Sequence, residues 1–190
     1  MSPSSRSGWR IFCSREPSLD PKLRMRRPNL LGLPSVEVPS GYSLGKAGAN
    51  DAEPLARLLT TAFGEDWTAD KARQELLQNA DVPTTFIVAR AGVIVATASA
   101  QVQPVAFPGS GVVHWVAADP AHSGMGLGRA VVTAVLHELL RLGLSDAVLI
   151  TDDERLPAIA VYSSLGFVPD PFDGSHPQRW ATVLTKLLQR

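Results

Sequence analysis

The sequence predicts a mixed α/β fold of the α+β kind, one central sheet flanked by helices. Three observations carry that expectation. Apolar residues make up 45% of the 190-residue chain and charged residues 19%, enough apolar surface for one packed core and too little charge for a disordered polymer. Beyond residue 40, runs of strand character alternate with stretches of helical period. Between Val112 and Thr151 a strand, a glycine-rich loop, a long helix and a second strand follow one another. They form a βαβ unit, whose two strands run parallel through a right-handed crossover.

The first segment, residues 1–39, carries prolines at 3, 17, 21, 28, 34 and 39 and seven basic residues against three acidic ones. Repeated prolines interrupt helices and central strands, so this segment is expected to be a flexible tail, with the folded domain spanning 40–190. Tyr42 to Ala47 reads as a short strand. Asn50 and Asp51 then offer a cap, Pro54 suits a first helical turn, and Leu55, Leu58, Leu59, Ala62 and Phe63 form the apolar stripe of a helix. After the loop Gly64-Glu65-Asp66-Trp67, Thr68 caps a second helix to about Gln78. Thr84–Ala89 and Val93–Val102, separated by Arg90-Ala91-Gly92, read as a hairpin, and Val112–Ala118 as a strand buried on both faces. Val131, Val132, Val135, Leu136, Leu139 and Leu140 repeat at helical spacing between Gly128 and Leu142, and Gly143 stops that helix. Ala147–Thr151 is a buried strand, Pro157–Leu165 a short helix and Arg179–Leu187 a closing strand. The expected order is β-α-α-β-β-β-α-β-α-β.

Composition also excludes classes of function. The formal net charge is zero, which gives no general attraction for nucleic acid or anionic lipid. No apolar run approaches the roughly 18 residues of a membrane span, and arginines at 6, 10 and 15 with Glu16 stand where a signal peptide needs its apolar stretch. The single cysteine, Cys13, rules out an internal disulfide framework, so a cytoplasmic setting is expected. His122 and His176 lack neighbouring ligands, and no metal is expected. Oligomeric state stays open, a homodimer included.

The informative stretch is Asp119-Pro120-Ala121-His122-Ser123-Gly124-Met125-Gly126-Leu127-Gly128-Arg129-Ala130. Alternating glycines before a long helix let the backbone approach a ligand and aim amide N–H groups at it, and the helix dipole with Arg129 adds positive charge. A phosphate fits there. A dinucleotide fingerprint would need Gly at position 129, where Arg129 stands, and a P-loop would need Gly-Lys-Ser or Gly-Lys-Thr. These residues instead resemble the GNAT superfamily of acetyl-CoA-dependent N-acetyltransferases, whose loop runs Arg or Gln, two arbitrary residues, Gly, one arbitrary residue, then Gly or Ala. Here that loop is Ser123 to Gly128. A second segment, Ala158 to Phe167, resembles the family's other motif, with an alanine, Tyr162 and the terminal Gly166-Phe167 at the family's spacing.

The resemblance, over roughly 40–188, implies acetyl transfer from acetyl-CoA to a primary amine of a small molecule or protein. It implies cofactor contacts from Val116 and Ala117 at the strand end and from Ser123, Gly124, Met125, Gly126, Leu127, Gly128 and Arg129. Ser123 stands where the family carries Arg or Gln, and Arg155 where many members have Asn. A folded, CoA-binding module without turnover is the alternative. The reaction makes two demands. A lysine-like amine is neutral at pH 7 about once in 2,500 molecules, a handicap of about 4.6 kcal/mol. A thiolate must also leave with a proton, which a tyrosine still carries at neutral pH. The resemblance puts Tyr162 beside the sulfur as that acid. It puts the strand bearing His114 alongside the acetyl group, and a histidine suits the base, although an isolated strand histidine is also a common core residue. Asp152 and Asp153 can attract a cationic amine or serve as helix caps. Trp67 sits in a loop that the family uses for acceptor binding, or packs as core.

Overall fold

The apolar hairpin predicted at 84–102 supplies two interior strands of the sheet. The computed structural model describes residues 22–102 and 105–189. Strands β1 (Leu23–Arg27), β2 (Tyr42–Lys46), β3 (Thr84–Arg90), β4 (Val93–Val102), β5 (Gly111–Ala118), β6 (Ala147–Thr151) and β7 (Val168–Pro169) form one sheet in the order β2-β3-β4-β5-β6-β1-β7. Neighbours are antiparallel except β5 and β6, the predicted parallel pair.

The helices divide between the two faces. Helix α3 (Leu127–Arg141) inserts Val131, Val135, Leu136 and Leu139 into the larger core, which α4 (Leu156–Ser164) and α5 (His176–Leu188) complete with Ile159, Tyr162, Trp180 and Val183. On the other face α1 (Ala52–Phe63) and α2 (Ala69–Ala72, continued by a wider turn over Arg73–Leu77) gather Leu55, Leu58, Leu59, Trp67 and Leu76 against Ile94 and Ala117. Thr68 caps α2 as its position predicts, accepting from the Lys71 N–H.

Two expectations are corrected. The segment assigned to a tail enters the sheet: β1 pairs along all of β6 and also with β7. Leu23 and Met25 are 0% exposed, while the alternate residues Arg24 and Arg26 reach Asp170, and Arg26 also reaches Asp146. This five-residue alternation is a strand signal that the surrounding prolines obscure. Past Pro28 the chain crosses α3, where His137 Nε2 lies 2.9 Å from the Pro34 carbonyl oxygen, before it enters β2. Residues 1–21 of the expected tail lie outside the described residues. The closing strand predicted over 179–187 is instead α5. With β1 already on the edge of β6, that segment buries Trp180 and Val183 through a helical stripe.

Leu23→Ala should therefore cost about 2–5 kcal/mol, the usual range for truncating a buried leucine. Urea denaturation measures it, and an unchanged midpoint would mean that β1 contributes nothing to stability.

Candidate active site

The parallel pair β5 and β6 stays together only at Gly111–Ala147 and Val112–Val148. Past those residues the two strands part. On its other side β5 changes register against β4, with Thr97 opposite Ala117 but Ser99 opposite His114, so the Trp115–Val116 stretch carries an extra residue. Trp115 takes φ 50°, a left-handed conformation that costs a bulky side chain. Its ring is held edge-on by Trp67 at 4.6 Å and Phe63 at 5.6 Å between centroids. With the ladder ended at Val112 and β5 bulged at Trp115–Val116, a gap is left between the far ends of the two strands.

At the top of that gap lies the glycine loop. Asp119 accepts from the Ala121 N–H at 2.8 Å and fixes a tight turn, while the Tyr42 hydroxyl meets His122 Nδ1 at 2.8 Å and ties the turn to β2. Gly124 and Gly126 adopt φ 79° and 72°, and a Cβ on either would meet open space. Among the described residues no backbone N–H from Gly124 through Arg129 donates to a protein acceptor, and Ser123 to Gly126 are exposed. Unpaired N–H groups at the start of a 15-residue helix form an anion cradle, so these residues fit a pyrophosphate. Arg129 donates to Ser164 Oγ at 2.7 Å and joins the start of α3 to α4. Beside it, a cleft of about 360 Å³ lies between Glu37 and Val38 of the crossing segment and Met125, Gly126 and Arg129.

Arg155 reaches into the gap from the residue before α4. Its Nη2 donates to the Val116 carbonyl at 3.2 Å and its guanidinium lies 5.1 Å from the Phe63 ring centre. Tyr162, on α4, is 4% exposed; burial raises its pKa, and the Arg155 charge acts in the opposite direction. His114 sits half-buried beside Trp115, with Nδ1 buried and without a partner. Burial pushes its pKa down to about 4, with Lys22 adding to the effect.

The predicted site residues thus divide. Arg129 at the glycine loop bonds to α4, the helix that carries Tyr162, while Arg155 bonds to Val116 and bears on Tyr162, and His114 packs beside Trp115 on the same strand as Val116. Ala117, on the far side of the bulge, packs into the smaller core with Trp67. Trp67 also carries the Lys71 ammonium 4.3 Å from its ring centre. Asp152 binds Lys22 at 3.2 Å, and Asp153 takes a forked pair of bonds from Arg179, 3.0 Å from Nε and 2.6 Å from Nη2. Each of these two carboxylates therefore already has a cation. Sequence reasoning missed Phe63 and Trp115 as walls of the site and Lys22 as a neighbour; the first two look like ordinary core residues, and Lys22 falls in the segment read as a tail. Among the described residues no cluster of His, Cys, Asp and Glu is arranged to hold a metal ion, and no helix is long and apolar enough to cross a membrane.

Comparison with known proteins identifies the family. The model of the acetyltransferase (GNAT) family matches residues 52–167. The chain belongs to that family. A mycothiol acetyltransferase of Thermobispora bispora is 34% identical over 155 residues, 76% of this chain and 52% of that protein. Another from Thermomonospora curvata is 31% identical, covering 76% and 50%. The chain spans about half the length of these curated relatives. Among solved structures, the aminoglycoside N-acetyltransferase AAC(6')-Iy in complex with CoA superposes with a TM-score of 0.62 at 18% identity, over 72% of this chain and 96% of that one. The shared GNAT fold agrees with the expected mixed sheet between helices, and GNAT enzymes use acetyl-CoA.

The low value at His114 gives a pH signature. A histidine held neutral to about 4 loses to the unfolded chain in the competition for protons below its ordinary value near 6.5. It should remove up to about 3 kcal/mol of stability as pH falls through that window. His114→Gln, which cannot titrate, should flatten the stability curve between pH 6.5 and 4, as measured by urea denaturation.

Proposed function

We propose that this chain transfers the acetyl group of acetyl-CoA to a primary amine. The observation that carries the reading is the run of unpaired backbone N–H groups from Gly124 to Arg129 at the start of α3, with the buried Tyr162 on the neighbouring α4. Those N–H groups and Arg129 hold the pyrophosphate. The edge of β5 at Val116 and Ala117 that β6 leaves unpaired guides the arm that carries the thioester into the gap.

Tyr162 acts as general acid. Burial keeps its hydroxyl protonated at neutral pH, so it can donate to the departing thiolate, and Arg155 favours the tyrosinate left behind. His114 is a neutral ring throughout the physiological range. A base held at about 4 is badly matched to an ammonium near 10.4, so solvent takes the first proton and His114 contributes a neutral ring beside the gap. Family membership and relatives named as acetyltransferases favour turnover over an inactive CoA-binding module. With one cysteine in the sequence, a reducing compartment such as the cytoplasm suits the chain.

CoA should stabilise the protein by about 2.7 kcal/mol at 100 times its dissociation constant, and NADH should not. Gly126→Asp should remove the response, because a carboxylate enters the open space that the phosphate needs. A thermal-shift assay without response to millimolar CoA would sink the cofactor reading.

Tyr162→Phe should lower the maximal rate by about 10² to 10⁴, with CoA affinity little changed. Single-turnover transfer to an accepted amine is the measurement, and full activity would return Tyr162 to a packing role.

A further inference from the structure

Apart from Arg129 at the glycine loop and the exposed Glu154, the charges around the gap cancel in pairs, with one exception. Lys22 neutralises Asp152, Arg179 neutralises Asp153, and Arg24 and Arg26 lie against Asp170 and Asp146. His114 is uncharged at neutral pH. Arg155 is half-buried and has no carboxylate partner among the described residues. Its one hydrogen bond goes to a neutral carbonyl, that of Val116. A guanidinium carries five N–H donors in a planar fork shaped for a carboxylate, and the donors of Arg155 that Val116 does not take are open to a ligand. The fork stands over Phe63 and beside the bulged end of β5, where the acetyl group is delivered in the reading above.

We propose that Arg155 is the acceptor-anchoring residue and that the acceptor is an amine bearing a carboxylate, an amino acid or a close analogue. This rests on the acetyl-transfer reading. The acceptor's carboxylate docks on the free side of the guanidinium fork, which sets its amine next to Val116 and His114. The paired Asp152 and Asp153 offer an ammonium no unneutralised partner, so recognition through the amine's own charge is the weaker route. Docking also helps the chemistry. In a zwitterion the carboxylate stabilises the ammonium, and a guanidinium that takes over the carboxylate withdraws that support and favours the neutral, nucleophilic amine. No new bond is implied beyond the acetyl transfer: the amine nitrogen bonds to the acetyl carbon, the carbon–sulfur bond breaks, the thiolate receives a proton and the amine loses one.

The test compares free α- and ω-amino acids with their primary carboxamides, matched in shape and differing in that charge. Two readouts are used: thiol release from acetyl-CoA, and thermal shift of the CoA-bound protein. The expected result is a preference for at least one free acid over its carboxamide of tenfold or more in kcat/KM. In Arg155→Gln that ratio should collapse toward one while the response to CoA alone persists. Equal use of acids and carboxamides, a preference for the carboxamides, or a ratio that survives Arg155→Gln would overturn the proposal. If no amine is acetylated, the acetyl-transfer reading fails, and the thermal shift still decides: acid-selective binding that disappears in Arg155→Gln supports the anchor, whereas no acid-selective shift overturns it.

Discussion

The parting of β5 from β6 after Val112 is the constraint on which the site depends. Parallel neighbours normally keep their ladder for as long as both strands last, because every lost bond leaves a donor and an acceptor unsatisfied. Here β5 gives up that ladder through a bulge that forces Trp115 into a left-handed conformation, a distortion costing on the order of 1–3 kcal/mol. The rings of Phe63 and Trp67 trap the indole edge-on, so the smaller core holds the strained residue in place. What is gained is a slot through the sheet with backbone carbonyls on its wall. Arg155 already uses one of them.

A slot of this kind needs a rigid far wall. β6 keeps only two residues paired with β5, so its position depends on its other neighbour. β1 supplies that neighbour by pairing residue for residue from Leu23↔Thr151 to Arg27↔Ala147. The same strand places Lys22 at the end of β6, where it holds Asp152 and bears on His114. The basic, proline-rich start of the chain therefore shapes both the wall and the charge of the site. It also frees the C-terminal segment to close the larger core as a helix, through Trp180 and Val183.

Much of this was legible in the sequence where the periodic signal is long. The hairpin, α1, the crossover helix α3 and β6 fall within a residue or two of their predicted bounds, because each buries a face large enough to impose its own spacing. The run of unpaired N–H groups before α3 was legible for a different reason: alternating glycines ahead of a long apolar helix keep the backbone there open. β1 was not, since two apolar residues between arginines are a weak pattern until Asp146 and Asp170 are seen opposite them. Nor were the partners of Asp152 and Asp153, which come from 130 residues upstream and 26 residues downstream respectively and follow from the fold rather than from local spacing. The left-handed Trp115 has no local signal at all, for a tryptophan is among the residues least expected there.

On the proposed mechanism, the pairing of charges lets one side chain serve both halves of the reaction. Tyr162 is buried in the larger core, and burial alone would make it a reluctant donor, since the tyrosinate formed on proton transfer would be poorly solvated. An uncompensated guanidinium at the mouth of the gap lowers that cost. Had a carboxylate of the chain neutralised Arg155, as Asp152 neutralises Lys22, the help to Tyr162 would be largely cancelled. A carboxylate delivered by the proposed acceptor would raise the same difficulty, offset by the nucleophile that it brings with it. In that proposal the balance between anchoring the acceptor and easing the departure of the thiolate is set by a single charge, beside Asp152 and Asp153, whose own charges are already met by Lys22 and Arg179.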